Sequence, residues 1–110
     1  MSTITWEDQF TSEIDNARLA RKNRNEGKAR VCARRAAGVV IAEYLLRLGD
    51  DIPSESAYNR IEYLHELEEL PPGVRETSGH FLVRVNENHQ LPIEIDLINE
   101  AEWLRSILLP

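Results

Sequence analysis

Arg84 and His89, in the run RVNENH, are separated by four residues, and the two side-chain types together can handle a phosphate and a proton. Histidine titrates near neutrality and can take a proton from a hydroxyl, while arginine presents a planar fork of donors that matches phosphate oxygens. The same spacing recurs at Arg60 and His65 (RIEYLH) and at Arg75 and His80 (RETSGH). At most one of the three can be such a site, so spacing alone does not choose among them. The other reading of Arg84 is a solvated side chain, and of His89 an exposed residue at a helix end.

A second candidate is electrostatic. The chain of 110 residues carries a net charge of −6, which disfavours attraction of nucleic acid by the surface as a whole. The charges are segregated, however: residues 18 to 35 hold eight cations against Glu26 alone, and residues 50 to 70 hold seven acids against Arg60 alone. Arg21, Lys22, Arg24, Lys28, Arg30 and Arg34 are the candidate phosphate or nucleic-acid ligands, through arginine's bidentate donors. The alternative is that the basic cluster and the acids Glu66, Glu68 and Glu69 partly neutralise each other, each exposed pair contributing well under about 1 kcal/mol.

Other chemistries have weaker supports. The five glycines form neither a phosphate loop nor a dinucleotide fingerprint, and no cofactor is expected. His65 with Glu62, Glu66 or Glu69 is a conceivable metal set, but the histidines lack the i, i+4 pairing of a helical site and no metal is expected. Cys32 is flanked by Arg30 and Arg34, which favours a reactive thiolate if exposed; a buried, inert cysteine is the competing reading. A lone cysteine allows no intrachain disulfide, the N-terminal segment has acids and no long apolar core, and AAGVVIAEYLL is too short to span a bilayer. A cytoplasmic protein without membrane contact is expected.

The elements that must position these residues are helical. Trp6, Phe10, Ile14 and Ala17 share one face of a helix from about Trp6 to Arg24, with Thr5 and Asp8 as a capping pair and Gly27 as its turn. Ala29, Ala33, Ala36, Ala37 and Gly38 form a small-residue stripe on a second helix from about Lys28 to Leu48, expected to lie against the Ala17 and Ala20 region. Ser54 or Ser56 caps a third helix reaching Leu70, burying Ala57, Ile61, Leu64 and Leu67. The fourth segment, with Val74, Ser78, Phe81, Leu82 and Val85 on one face, is read as helix rather than strand and ends at Asn86 and Asn88. Asp96 caps the last helix, which carries Leu97, Ala101, Leu104 and Leu108.

Residues 1–110 are thus expected to form one all-α domain, an antiparallel four- to five-helix up-and-down bundle. Alternating full-length helices would put the basic cluster and Glu66 to Glu69 at one end. Arg84 and His89 would lie at the other.

The run ARLARKNRNEGKARVCARRAAGVVIAEYLLRLG resembles the first helical hairpin of HEPN (higher eukaryotes and prokaryotes nucleotide-binding) domains; IPSESAYNRIEYLHEL is similar to the short third helix, and LVRVNENHQLP with DLINEAEWLRSILL to the approach and terminal helix. The resemblance implies a helical bundle that often dimerises. Some members are metal-independent ribonucleases and others are inactive partners of nucleotidyltransferases. It would make Arg84 and His89 the Arg-x4-His site, His89 taking the proton of an RNA 2′-hydroxyl and Arg84 holding the scissile phosphate. The polar residue that commonly follows the arginine is Val85 here. The expectation is therefore a non-catalytic, homodimeric interaction or nucleotide/RNA-binding partner, as in a toxin-antitoxin pair. An endoribonuclease completed across a dimer and a structural adaptor without ligand are the alternatives.

Overall fold

Thr5 opens the first helix with a reciprocal cap, its Oγ1 accepting from the Asp8 amide at 3.1 Å while the Asp8 carboxylate accepts from the Thr5 amide at 3.4 Å. A computed structural model describes residues 3–52, 54–84 and 93–110, which form α1 (Trp6–Lys22), α2 (Glu26–Arg47), α3 (Ala57–His65), α4 (Val74–Leu82) and α5 (Leu97–Leu108). The fold is all-α, a helical bundle, and no strand occurs among the described residues. Asn25, Ser56 and Asp96 cap α2, α3 and α5 with their side-chain oxygens, satisfying amides that the first helical turn leaves without partners.

The core follows the apolar spacing. Phe10, Ile14, Ala17 and Ala20 of α1 are buried, as are Ala29, Cys32, Ala33, Ala36, Ala37, Val40 and Ile41 of α2, so Cys32 is a packed core residue. Ile61, Leu64, Val74, Phe81, Leu97, Ala101 and Leu104 complete the same cluster. α2 is the central element, packing against α1, α5 and α3. Gly38 is the point of closest approach, but to α3 rather than α1: a methyl group added there would lie 2.9 Å from the Cβ of Ala57. The turn between α1 and α2 also differs from expectation. Gly27 lies within α2, and it is Arg24 that takes the left-handed conformation, with φ of 60°.

Two helices are shorter than their apolar patterns imply. α3 stops at His65, five residues before Leu70, where Arg75 donates to the carbonyl of His65 at 2.6 Å and to that of Leu67, beyond the helix, at 2.8 Å. Pro71 and Pro72 then disfavour any continuation. Leu67 and Leu70 still pack on the core without being helical. α4 ends at Leu82, and Val83 is extended with φ −69° and ψ 130°, so the apolar run Phe81, Leu82, Val83 is split between two conformations.

The short α3 reverses the direction expected of α4. Asp96 at the start of α5 meets Arg21 at the end of α1, and Arg105 near the end of α5 lies over the rings of Trp6 and Phe10, so α1 and α5 are antiparallel. Gly73, before α4, sits against the indole of Trp103, whereas His80 bonds Glu100 at 2.6 Å, so α4 is antiparallel to α5 and ends toward the α1–α2 turn. Glu68 and Glu69 stay beside Tyr44 and Leu48 at the far end of α2, and do not reach the basic cluster.

Candidate functional site

Two of the basic residues expected to bind phosphate, Arg21 and Arg34, are bonded within the fold. Arg21 is held between Glu26 at 2.8 Å and Asp96 at 3.0 Å, and its pKa is raised, chiefly by the bond to Glu26. Arg30 is partly buried and is engaged within the fold. Arg34 is half-buried: its Nε donates to the Phe81 carbonyl at 3.0 Å and one terminal nitrogen to that of Val83 at 3.5 Å. Burial, and secondly the proximity of Arg30, lower its pKa. Lys22, Arg24 and Lys28 are exposed around the turn. The acids that compensate this region are Glu26, Asp96 and Glu102, the last paired with Arg18, rather than Glu66, Glu68 and Glu69.

Arg84 is exposed and directly follows Val83, whose carbonyl Arg34 engages, so it lies toward the half of α2 that follows the basic turn and not at the opposite end. His89 lies outside the described residues, and so does any contact between it and Arg84. The other two copies of the spacing serve the fold. Arg60 donates to the carbonyls of Ser54 at 2.6 Å and Gly38 at 3.4 Å. His65 turns its Nδ1 to the hydroxyl of Ser78 at 2.9 Å and the Arg75 carbonyl at 3.1 Å, which replaces the metal set considered with Glu62, Glu66 or Glu69. Among the described residues no group of three histidine, cysteine or acidic side chains is placed to hold a metal ion.

A concave site does form where α1, α2 and the start of α3 meet, with a volume of about 830 Å³. Its α2 wall is Val31, Arg34, Arg35 and Val39; its α3 side is Ala57, Tyr58 and Arg60. From α1 come Gln9, Ser12 and Glu13. The floor exists because Gly38 lets Ala57 approach and because Arg60 ties α3 to the Gly38 carbonyl. Apolar surface dominates, and among the charged side chains Asp8, Glu13 and Glu55 balance Arg34, Arg35 and Arg60.

One atom of a cleft residue stands apart. Oε2 of Glu13 is shielded from solvent and has no hydrogen-bond partner among the described residues. A buried acceptor without a donor costs about 1–3 kcal/mol, and more when it is charged. A mostly apolar concavity with a few polar groups around it is the usual form of a small-molecule site.

No family model, curated protein or solved structure matches this chain. Its own geometry therefore carries the functional reading.

The sequence signal for the cleft was present. Val31, Arg35 and Val39 recur every four residues on α2, off the alanine stripe, so α2 is apolar on more than one face. The alanine stripe is the stronger periodicity and hides it. What spacing could not show is that α3 crosses at Gly38 and closes the third side.

Proposed function

We propose that the chain is a non-catalytic binding protein whose ligand seats in the cleft between α1, α2 and the start of α3. The observation that carries this reading is the concavity of about 830 Å³ between three helices, lined mostly by apolar surface with three acids and three arginines. Among the described residues His65 bonds Ser78, His80 bonds Glu100, and Arg34, Arg60 and Arg75 bond backbone carbonyls, which suits a binding role for the cleft. The test is a thermal-shift screen of small amphipathic molecules against the wild type and Val31→Glu. Val31 is 44% exposed, so the change puts a charge into the cleft without disturbing the core. Stabilisation of the wild type that Val31→Glu abolishes supports the reading; stabilisation that survives it, or none, removes it.

A second reading retains the HEPN-like assignment, a homodimeric interaction or nucleotide/RNA-binding partner such as one half of a toxin-antitoxin pair. It is supported by the exposed Lys22, Arg24 and Lys28 and by Arg84 lying toward the same end. With that placement the basic turn and Arg84 need no second protomer to share one half of the bundle. Light scattering and titration with a short RNA test it, and a monomer that binds no RNA removes it. RNA cleavage that persists in His89→Ala removes the nuclease version.

A further inference from the structure

We propose that the groove between the end of α2 and residues 67–71 docks a basic peptide segment of a partner protein, one that carries leucine beside its lysines or arginines. The groove lies at the end of α2 away from the basic turn and shares no lining residue with the cleft, so it is a second binding surface.

Two helix ends build it. α2 stops at Arg47 with Leu48 as its cap, and α3 stops at His65, so Leu67 and Leu70 pack on the core from irregular backbone and only in part. Between them lies a concavity of about 450 Å³ walled by Tyr44, Leu48, Leu67 and Leu70. Leu48 is 55% exposed, and covering it removes apolar surface from water. Pro71 lines the same wall with its φ held by its ring, which lessens the ordering that docking requires of this segment.

Charge names the occupant. Asp50, Glu68 and Glu69 line the groove, and no lysine or arginine does. None of these three carboxylates makes an ion pair among the described residues. Two neighbouring cations are engaged elsewhere: Arg47 pairs with Glu43 at 3.1 Å and lies over the Trp6 ring, and Arg75 donates to the backbone carbonyls of His65, Leu67 and Glu68. Lys28 of the basic turn is 20 positions before Leu48 on α2, about 30 Å away at about 1.5 Å per residue. The field of the groove therefore favours a cation and disfavours an anion. A metal ion does not suit it, because among the described residues no group of three acidic side chains is placed to hold one. A lysine or arginine does: its aliphatic stem covers apolar wall while its head stays at the wet rim, where Glu68 and Glu69 are exposed and open to it.

The experiment is an amide chemical-shift titration of the full chain with N-acetylated, C-amidated Leu-Lys-Lys-Leu, beside the same peptide with glutamine for lysine and with serine for leucine. Wild type, Glu69→Lys, Leu48→Ser and Glu94→Lys are compared; all three positions are exposed, and each variant is checked for an unchanged urea midpoint. The lysine peptide should shift Tyr44, Leu48, Asp50 and Glu68 through Leu70, with a Kd of about 1 mM or below. Both altered peptides, Glu69→Lys and Leu48→Ser should each weaken binding about threefold to tenfold. Glu94 is two residues before Asp96, at the end where Arg21 lies, so Glu94→Lys changes the net charge equally but should leave binding within about twofold. The proposal is overturned by no shift at about 10 mM, by an equal loss in Glu94→Lys, or by a glutamine or serine peptide that binds as tightly as the lysine one. Self-association in light scattering that Glu69→Lys abolishes also overturns it, because the occupant is then a second copy of this chain. The test of the cleft turns on Val31, which does not line this groove, so either reading can fail without the other.

Discussion

The Nε of Arg34 donates to the carbonyl oxygen of Phe81 at 3.0 Å, joining the middle of α2 to the last turn of α4 across 47 positions of sequence. Arginine drawn from the most basic stretch of the chain therefore ends a helix rather than presenting a free charge. Arg75 likewise bonds the last carbonyl of α3. Arg34→Met keeps the apolar stem and removes the donors, leaving two carbonyls short of a partner. Destabilisation of about 1–3 kcal/mol is expected in urea unfolding, with amide exchange accelerated most in the last turn of α4.

The same substitution at two glycines of one helix should have opposite signs. Gly27 lies in the first turn of α2, where an added methyl group meets nothing closer than Asn25 Oδ1 at 3.9 Å; Gly27→Ala should stabilise by about 0.5–1 kcal/mol. At Gly38 the methyl group would meet the Cβ of Ala57 at 2.9 Å and its Cα at 3.1 Å, so α3 must move. Overpacking of about 1–3 kcal/mol exceeds the propensity gain, and Gly38→Ala should lower the urea midpoint. It should also weaken any ligand of the cleft, because Ala57 lines it.

Arg24 adopts a left-handed backbone with φ of 60°, a conformation that costs a residue with a Cβ about 1–2 kcal/mol. Arg24→Gly should raise thermal stability slightly, the relief of strain exceeding the entropy gained by the unfolded chain. Cleft binding should be unchanged. Binding of RNA at the turn would weaken, so this variant also separates the two functional readings.

Glu13→Ala should be an exception to the rule that substitutions at partly buried positions destabilise. It removes a shielded carboxylate oxygen without a donor and introduces the best helix former. Thermal unfolding should shift upward or stay level, read by the melting temperature of the variant beside that of the wild type.

The helices were largely legible in the sequence. Thr5, Ser56 and Asp96 announce helix starts through local chemistry, and Phe10, Ile14, Leu104 and Leu108 mark buried faces by spacing alone. Direction was not legible. The apolar pattern through Leu67 and Leu70 extends α3 toward the α1–α2 turn, whereas the helix stops at His65, where a tertiary bond from Arg75 meets its last carbonyl. That stop reverses α4 and moves Arg84 away from the end opposite the basic turn. The cleft was hidden for a related reason: its lining comes from three elements, and a single helix reports only the face with the stronger periodicity. Glu13, on its α1 side, looks like any surface glutamate until the packing of α1 shields one oxygen.

The central claim, that the cleft is where this protein recognises its ligand, is tested most directly by amide-resolved chemical-shift mapping with an amphipathic molecule that stabilises the protein in the thermal-shift screen and, separately, a short RNA. Shifts induced by the amphipathic molecule should cluster at Ser12, Glu13, Val31, Arg35, Val39 and Ala57. Shifts confined to Lys22 through Lys28 and Arg84 on adding RNA, with the cleft amides unmoved by either probe, would contradict it.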